Sequence, residues 1–143
     1  MENIIRLPDD GVEFDKNKLI GIPFKLNGRS FDGCDCRGIV WLYYYYVKKI
    51  EGPFTDNGRV LFRNKKRDIQ RMMKVISEFS IPVEFKDLKE GDLLLLKTIN
   101  GIGALAVCIN DKQALHMDIV VGSCLTKIRY LEDLFLIGYR PNV

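Results

Sequence analysis

The stretch Gly33-Cys34-Asp35-Cys36-Arg37-Gly38-Ile39-Val40 opens a strongly apolar helical segment and is the most informative feature of the chain. Aspartate is a favoured N-cap residue, so Asp35 predicts a helix from about Cys36 to Ile50. The apolar residues of that segment lie nearly all round the helix, which predicts a central helix packed on more than one side. A thiol at a helix N-terminus is biased toward the reactive thiolate. Cys36 is therefore the candidate nucleophile.

The elements predicted outward from this helix change in character along the chain. Asp15 predicts the start of a short helix through Ile20, and a second helix is expected from Arg67 to Phe79. From residue 83 onward the patterns indicate strands. They are Val83–Phe85, Asp92–Lys97, Ala104–Ile109, Ala114–Val121 and Phe135–Tyr139. Helices followed by strands predict an α+β fold, with N-terminal helices packed on a small antiparallel sheet.

Composition bounds the class of protein. The 143 residues, 47% of them hydrophobic, predict a single domain over residues 1–143. The net charge of +3 is mild, and the basic run Arg63–Arg67 has no interleaved aromatics, so no nucleic-acid partner is expected. The N-terminus has no signal-peptide pattern, and no apolar stretch reaches membrane-spanning length. We expect synthesis in a cytoplasm and no membrane insertion.

The four cysteines do not predict a metal or cofactor site. Cys34 and Cys36 form a C-x-C pair without a second pair or a nearby histidine, which is a poor zinc signature. Cys108 and Cys124 lie in apolar, strand-like surroundings and are expected to behave as core residues. For Arg37 a solvated side chain is favoured over a clamp on an acidic substrate.

A cysteine hydrolase needs a base beside its thiol and a group that orients the base. Histidine is the side chain that titrates near neutral pH without heavy perturbation. The chain has one histidine, His116, which is therefore the candidate base for Cys36.

Four blocks of sequence, in the right order, resemble the NlpC/P60 cysteine peptidases, in particular the branch found in phage tails. The opening block comprises Gly21-Ile22-Pro23-Phe24, Asn27-Gly28-Arg29 and the segment Gly33–Val40. The others are Glu90-Gly91-Asp92-Leu93-Leu94-Leu95, Leu115-His116-Met117 and Ile137-Gly138-Tyr139-Arg140-Pro141. The resemblance covers about residues 19–141 and implies a papain-like fold.

The resemblance implies a role for four positions. The nucleophile falls on Cys36 and the orienting residue on His116. The base histidine falls on Ala104, and a tyrosine of the family's active site falls on Phe24, so two chemical groups are missing. Loss of a general base typically costs about 10²–10⁴-fold in rate, and loss of a member of a cooperating triad about 10⁶. The resemblance therefore implies a degenerate site.

Three routes to activity stay open on the sequence alone. A shifted alignment would make His116 itself the base, His116 could act from the orienting position, or a partner chain could supply a base. The expected function is a structural, catalytically inactive component of a phage tail tip or baseplate hub. Its partners would be other tail proteins, with peptidoglycan as a further one, and its location the virion. The alternative is an active peptidoglycan endopeptidase of the tail. A cellular acyltransferase or amidase is a third class without specific support.

Overall fold

The structure is a computed structural model that describes residues 5–52, 65–98 and 104–142. Its helices are α1 (Cys36–Tyr46) and α2 (Lys65–Glu78), with 3-10 turns at Lys16–Leu19, Phe85–Asp87 and Ile128–Leu134. Its strands are β1 (Ile5–Arg6), β2 (Arg29–Ser30), β3 (Gly33–Cys34), β4 (Ile50–Gly52), β5 (Ser80–Val83), β6 (Leu93–Leu96), β7 (Ala104–Cys108), β8 (Gln113–Asp118), β9 (Gly122–Lys127) and β10 (Phe135–Pro141).

The main sheet has six antiparallel strands in the order β5-β10-β6-β7-β8-β9. Two short antiparallel pairs, β1 with β4 and β2 with β3, accompany it. Helix α1 packs against β7 and β8. The predicted α+β class, with helices on an antiparallel sheet, is confirmed.

The two faces of the sheet bury separate clusters of apolar side chains. Leu105, Val107 and Leu115 pack with the apolar side chains of α1, and we call this the α1 face. Because side chains alternate along a strand, their neighbours point to the other side. There Leu94 and Ala106 pack with the 3-10 turn that follows β9, and we call this the far face.

Several boundaries differ from the sequence prediction. Helix α1 ends at Tyr46 rather than near Ile50, and Lys49 takes a left-handed backbone with φ of +56°. The predicted strand Val83–Phe85 is wrong in position, because β5 ends at Val83 and a 3-10 turn begins at Phe85. The predicted strand Ala114–Val121 ends at Asp118, and the chain returns as β9, a strand that the sequence did not predict. The side chains of the basic run Arg63–Arg67 lie outside the described residues.

The Gly-Asp block and the C-terminal block of the sequence meet in one ion pair between a buried aspartate and a partly exposed arginine. Asp92 is completely buried, and Arg140 donates to both of its carboxylate oxygens, each at 2.9 Å. The same carboxylate accepts the backbone N–H of Lys89 at 2.9 Å. Gly91 has φ of +89°, and its carbonyl accepts the Tyr44 hydroxyl of α1 at 2.8 Å. These contacts tie β6, β10 and α1 together.

Within the described ranges, no helix is both long and apolar enough to cross a membrane.

Candidate active site

The N-terminus of α1 is capped as the sequence predicts. Asp35 has an extended backbone, and its Oδ1 accepts the N–H of Gly38 at 2.8 Å. Cys36 is the first residue of the helix and is only 6% exposed. Position 38 tolerates no side chain, because a Cβ there would overlap the carbonyl oxygen of Gly28. The motif therefore places the thiol at a tightly packed helix start.

Asp35 is also the centre of a buried charge network. Arg29 donates to its Oδ1 at 2.8 Å, and Arg37 donates to its Oδ2 at 2.7 Å. Oδ2 accepts the N–H of Asn27 as well, at 2.9 Å. The expectation of a solvated Arg37 is wrong: its side chain is 3% exposed, because the Asp35 carboxylate and the Asn27 amide oxygen hold the guanidinium inside.

The network keeps the carboxyl of Asp35 ionised. Burial alone would raise the pKa of Asp35. The Arg29 charge, the Gly38 N–H and the Arg37 guanidinium outweigh it and hold this pKa below its usual value. Asp35 is thus an anchor for the helix start and is not available as a general acid.

Phe24 lies beside the strand that leads into the helix. It forms a parallel bridge with Cys34. The N–H of Cys34 donates to the Pro23 carbonyl at 3.0 Å, and the N–H of Lys25 donates to the Cys34 carbonyl at 2.9 Å. Phe24 is 37% exposed, so its ring does not fill the core. Cys34 is completely buried, and burial, followed by the Asp35 charge, raises its pKa to about 12.

His116 has partners of its own on β8 and β9. The register pairs it with Ala106 on one side and Cys124 on the other, which places its ring on the far face. Its Nε2 lies 2.6 Å from Thr126 Oγ1 and 3.6 Å from Cys124 Sγ. Burial lowers the pKa of His116, and the Asp118 carboxylate partly opposes that shift. The imidazole is neutral at pH 7.

The structure brings Ala104 and His116 to one face of the sheet and packs α1 against the other. Ala104 lies beside the far-face cluster, and the register places His116 on that face too. Within the described ranges, the hydrogen-bond partners of the His116 ring are Thr126 and Cys124. The roles assigned to Cys36, His116, Ala104 and Phe24 stay predictions.

The contact between His116 and Cys124 was not predicted from the sequence because β9 was not predicted. Cys124 lies directly opposite His116 once Gly122 starts a returning strand. Asp118 is the signal that could have indicated this turn, since its carboxylate accepts the N–H groups of Val120 and Val121. Within the described ranges, no group of three or more histidine, cysteine or acidic side chains could hold a metal ion.

Two solved structures are similar to this one in overall fold. The NlpC/p60 domain of the peptidoglycan hydrolase SagA matches with a TM-score of 0.55 and 17% sequence identity, over 85% of this chain and 88% of that one. The chain has the NlpC/P60 fold.

A Staphylococcus aureus protein described as similar to lipoprotein, of the NLP/P60 family (SAV0400), shares this fold too. It matches with a TM-score of 0.52 and 16% identity over 94% of this chain, which spans 45% of that longer one. No protein-family model matches the chain, and no curated protein matches it. The papain-like fold that the resemblance implied is confirmed. In this chain Cys36 is the first residue of α1.

Proposed function

We propose that this domain is a catalytically inactive NlpC/P60-type domain that serves as a structural component of a phage tail tip or baseplate hub. One observation carries the inactivity. The chain's one histidine bonds to Thr126 and Cys124 on the far face, while α1, which begins with Cys36, packs on the other face. An imidazole held on the far face is not placed to take the proton of a thiol at the start of α1 or to protonate a leaving amine there.

The tail assignment rests on the resemblance of the four sequence blocks to the tail-associated branch. In this role the domain would bind neighbouring tail proteins and reach the cell wall inside the particle. A candidate contact is the pair Trp41 and Tyr45 on α1, which stack at 4.8 Å and are both only half-buried. Tyrosine and tryptophan are enriched at protein interfaces.

The first test is release of soluble muropeptides from purified peptidoglycan by the full chain, beside its Cys36→Ala and Ala104→His variants. We expect no release by the full chain or by Cys36→Ala. We expect no release by Ala104→His either, because position 104 lies on the far face. Release by the full chain that Cys36→Ala abolishes would refute the inactive assignment.

The second test addresses the structural role. Tail particles assembled with Tyr45→Ala should incorporate less of the chain, whereas Cys36→Ala should incorporate normally. Equal incorporation of both variants at the native level would count against α1 as the assembly contact. Absence of the native chain from purified particles would refute the tail assignment itself.

An active peptidoglycan endopeptidase is the second candidate function. The observation in its favour is the shared fold with a domain of the peptidoglycan hydrolase SagA. It requires a base for Cys36 that Ala104 does not provide, so the muropeptide assay separates it from the first proposal.

A further inference from the structure

We propose that Cys124 is the reactive thiol of this protein, a site of S-thiolation by low-molecular-weight disulfides, with His116 as the base that takes its proton. The site is the pair formed by Cys124 Sγ and His116 Nε2 across the β8–β9 hairpin, 3.6 Å apart. It is separate from the Cys36 position that the NlpC/P60 resemblance implies.

Accessibility distinguishes Cys124 from the other three cysteines. Cys34, Cys36 and Cys108 are buried, whereas Cys124 is partly exposed. It also lies on β9, which forms one edge of the six-stranded sheet. Burial raises the pKa of both Cys34 and Cys108 to about 12, so neither of these forms a thiolate near neutral pH. A disulfide in solution therefore meets Cys124 first.

The imidazole supplies what the thiol lacks. Burial, and then the Asp118 charge, raises the pKa of Cys124, so the free thiolate is scarce at pH 7. His116 is neutral there, since burial lowers its pKa, and a neutral imidazole can accept a proton. Asp118 is the charged group that acts on both members of the pair, and it stabilises the imidazolium once the proton has moved.

The exchange balances without any further reactant. The proton of Cys124 moves to His116 Nε2 as Sγ attacks one sulfur of the disulfide. A new sulfur–sulfur bond forms, the old one breaks, and the leaving thiolate takes the proton from His116. The incoming disulfide is the oxidant, and one free thiol is released per modified chain.

Thr126 competes for the same nitrogen. Its Oγ1 lies 2.6 Å from Nε2, which has a single lone pair in the neutral ring tautomer able to accept. Proton transfer from Cys124 therefore requires the Thr126 hydroxyl to turn away. Removal of that hydroxyl should speed the exchange, a result that a purely structural threonine would not produce.

The charge of Asp118 also predicts which disulfides react fastest. A carboxylate beside the pair attracts a cationic reagent and repels an anionic one. Cystamine should therefore react faster than dithiodipropionate, and the ratio of the two rates should fall in Asp118→Asn. A higher salt concentration should reduce the ratio as well.

The test incubates the folded full chain with cystamine, follows the mass of the intact protein and maps the modified residue by peptide mass spectrometry. We expect one modification per chain, at Cys124, and none over the same time in Cys124→Ser. His116→Gln should slow the reaction by roughly 10- to 100-fold. This is no more than the lower end of the rate effect, about 10²–10⁴-fold, that a positioned general base usually has. Thr126→Val should accelerate it.

Two results would overturn the assignment. One is modification of Cys36 in place of Cys124. The other is modification of Cys124 at the native rate in both His116→Gln and Thr126→Val. Circular dichroism of each variant shows whether it is folded, and the count of one modified thiol per chain provides a second check, because an unfolded chain exposes all four cysteines.

Discussion

Replacement of Asp35 by alanine should destabilise the fold far more than loss of a helix cap alone. The cap itself contributes about 1 kcal/mol. The larger cost arises because Arg29 and Arg37 lose their carboxylate while their side chains are only 7% and 3% exposed. Breaking a buried ion pair by removing one partner costs about 3–5 kcal/mol.

The remaining contacts of the two arginines reduce this cost. Arg29 also donates to the Gly28 carbonyl at 2.7 Å, and Arg37 to the Asn27 amide oxygen at 2.6 Å. We therefore expect Asp35→Ala to lower the free energy of unfolding by about 4 kcal/mol, near the lower end of the range given by the cap and the ion pairs together. A typical domain has only about 5–15 kcal/mol in total, so this variant should be close to unfolding at room temperature.

The assay is urea unfolding followed by circular dichroism, with two companion variants. Asp35→Asn keeps an oxygen for the Gly38 N–H but loses the charge, and should cost about 2 kcal/mol. Asp32→Ala is the matched control, because Asp32 is an exposed aspartate in the same loop and should change the free energy of unfolding by less than about 0.5 kcal/mol.

The pH dependence provides a separate check. The pKa of Asp35 in the folded protein lies below its usual value of 3.8, so the unfolded chain takes up this proton first as the pH falls. The ionised Asp35 carboxylate stabilises the fold fully above its usual pKa. This stabilisation is lost as the pH drops through the pKa that Asp35 has in the folded protein. The difference in the free energy of unfolding between the native protein and Asp35→Asn should therefore become smaller below about pH 4. Equal unfolding midpoints for Asp35→Ala and Asp32→Ala would refute the reasoning.

Three further predictions concern other parts of the fold. Arg140→Met leaves the buried Asp92 carboxylate without its bidentate partner and should lower the free energy of unfolding in urea by about 3–5 kcal/mol; an effect below about 1 kcal/mol would contradict it. Gly122→Ala places a Cβ 2.5 Å from a backbone carbonyl oxygen at a residue with φ of +87°. It should lower the thermal unfolding midpoint much more than the control Gly11→Ala does, because Gly11 has a similar φ of +72° but open space around it. Burial lowers the pKa of His116 below its usual 6.5, so the unfolded chain binds that proton first and stability should fall as the pH drops through about 6.5. Urea unfolding of His116→Gln, which should lack that decline, checks the last prediction.

Much of the fold could be predicted from the sequence because its signals are local. The aspartate before an apolar run predicted the start of α1. Asp15 predicted the start of a short helix through Ile20; the structure has a 3-10 turn at Lys16–Leu19, and Asp15 accepts the N–H of Asn17 at 3.0 Å. The strand that was missed, β9, begins at a glycine and carries few β-branched residues. Its existence depends on the turn at Asp118 and on cross-strand pairing, which a window of sequence does not contain.

The candidate site was harder to predict because it depends on which face each side chain occupies. One residue of register decides whether a strand side chain meets α1 or points away from it. Leu105 lies on the α1 face, whereas Ala104 lies beside the far-face cluster, although the two are adjacent in sequence. The burial of Arg37 was missed for a similar reason: the sequence shows a charged residue, and only the fold shows that Asp35 turns toward it.

The residues that carry the resemblance to the NlpC/P60 motifs have structural roles that are independent of catalysis. Asp35 caps α1 and pairs with two buried arginines, Gly38 allows the close approach of Gly28, and Asp92 pairs with Arg140. Each would be costly to lose in a chain that cleaves nothing, so the presence of these motifs is no argument for activity.

Ala104 and Phe24, the two positions at which the resemblance implies a missing group, are different. Ala104 is a small residue at the start of a strand, and Phe24 is partly exposed beside β3. Neither position carries an ion pair or a helix cap in this structure, so we expect substitution there to change the stability of the fold less than substitution of Asp35, Gly38 or Asp92.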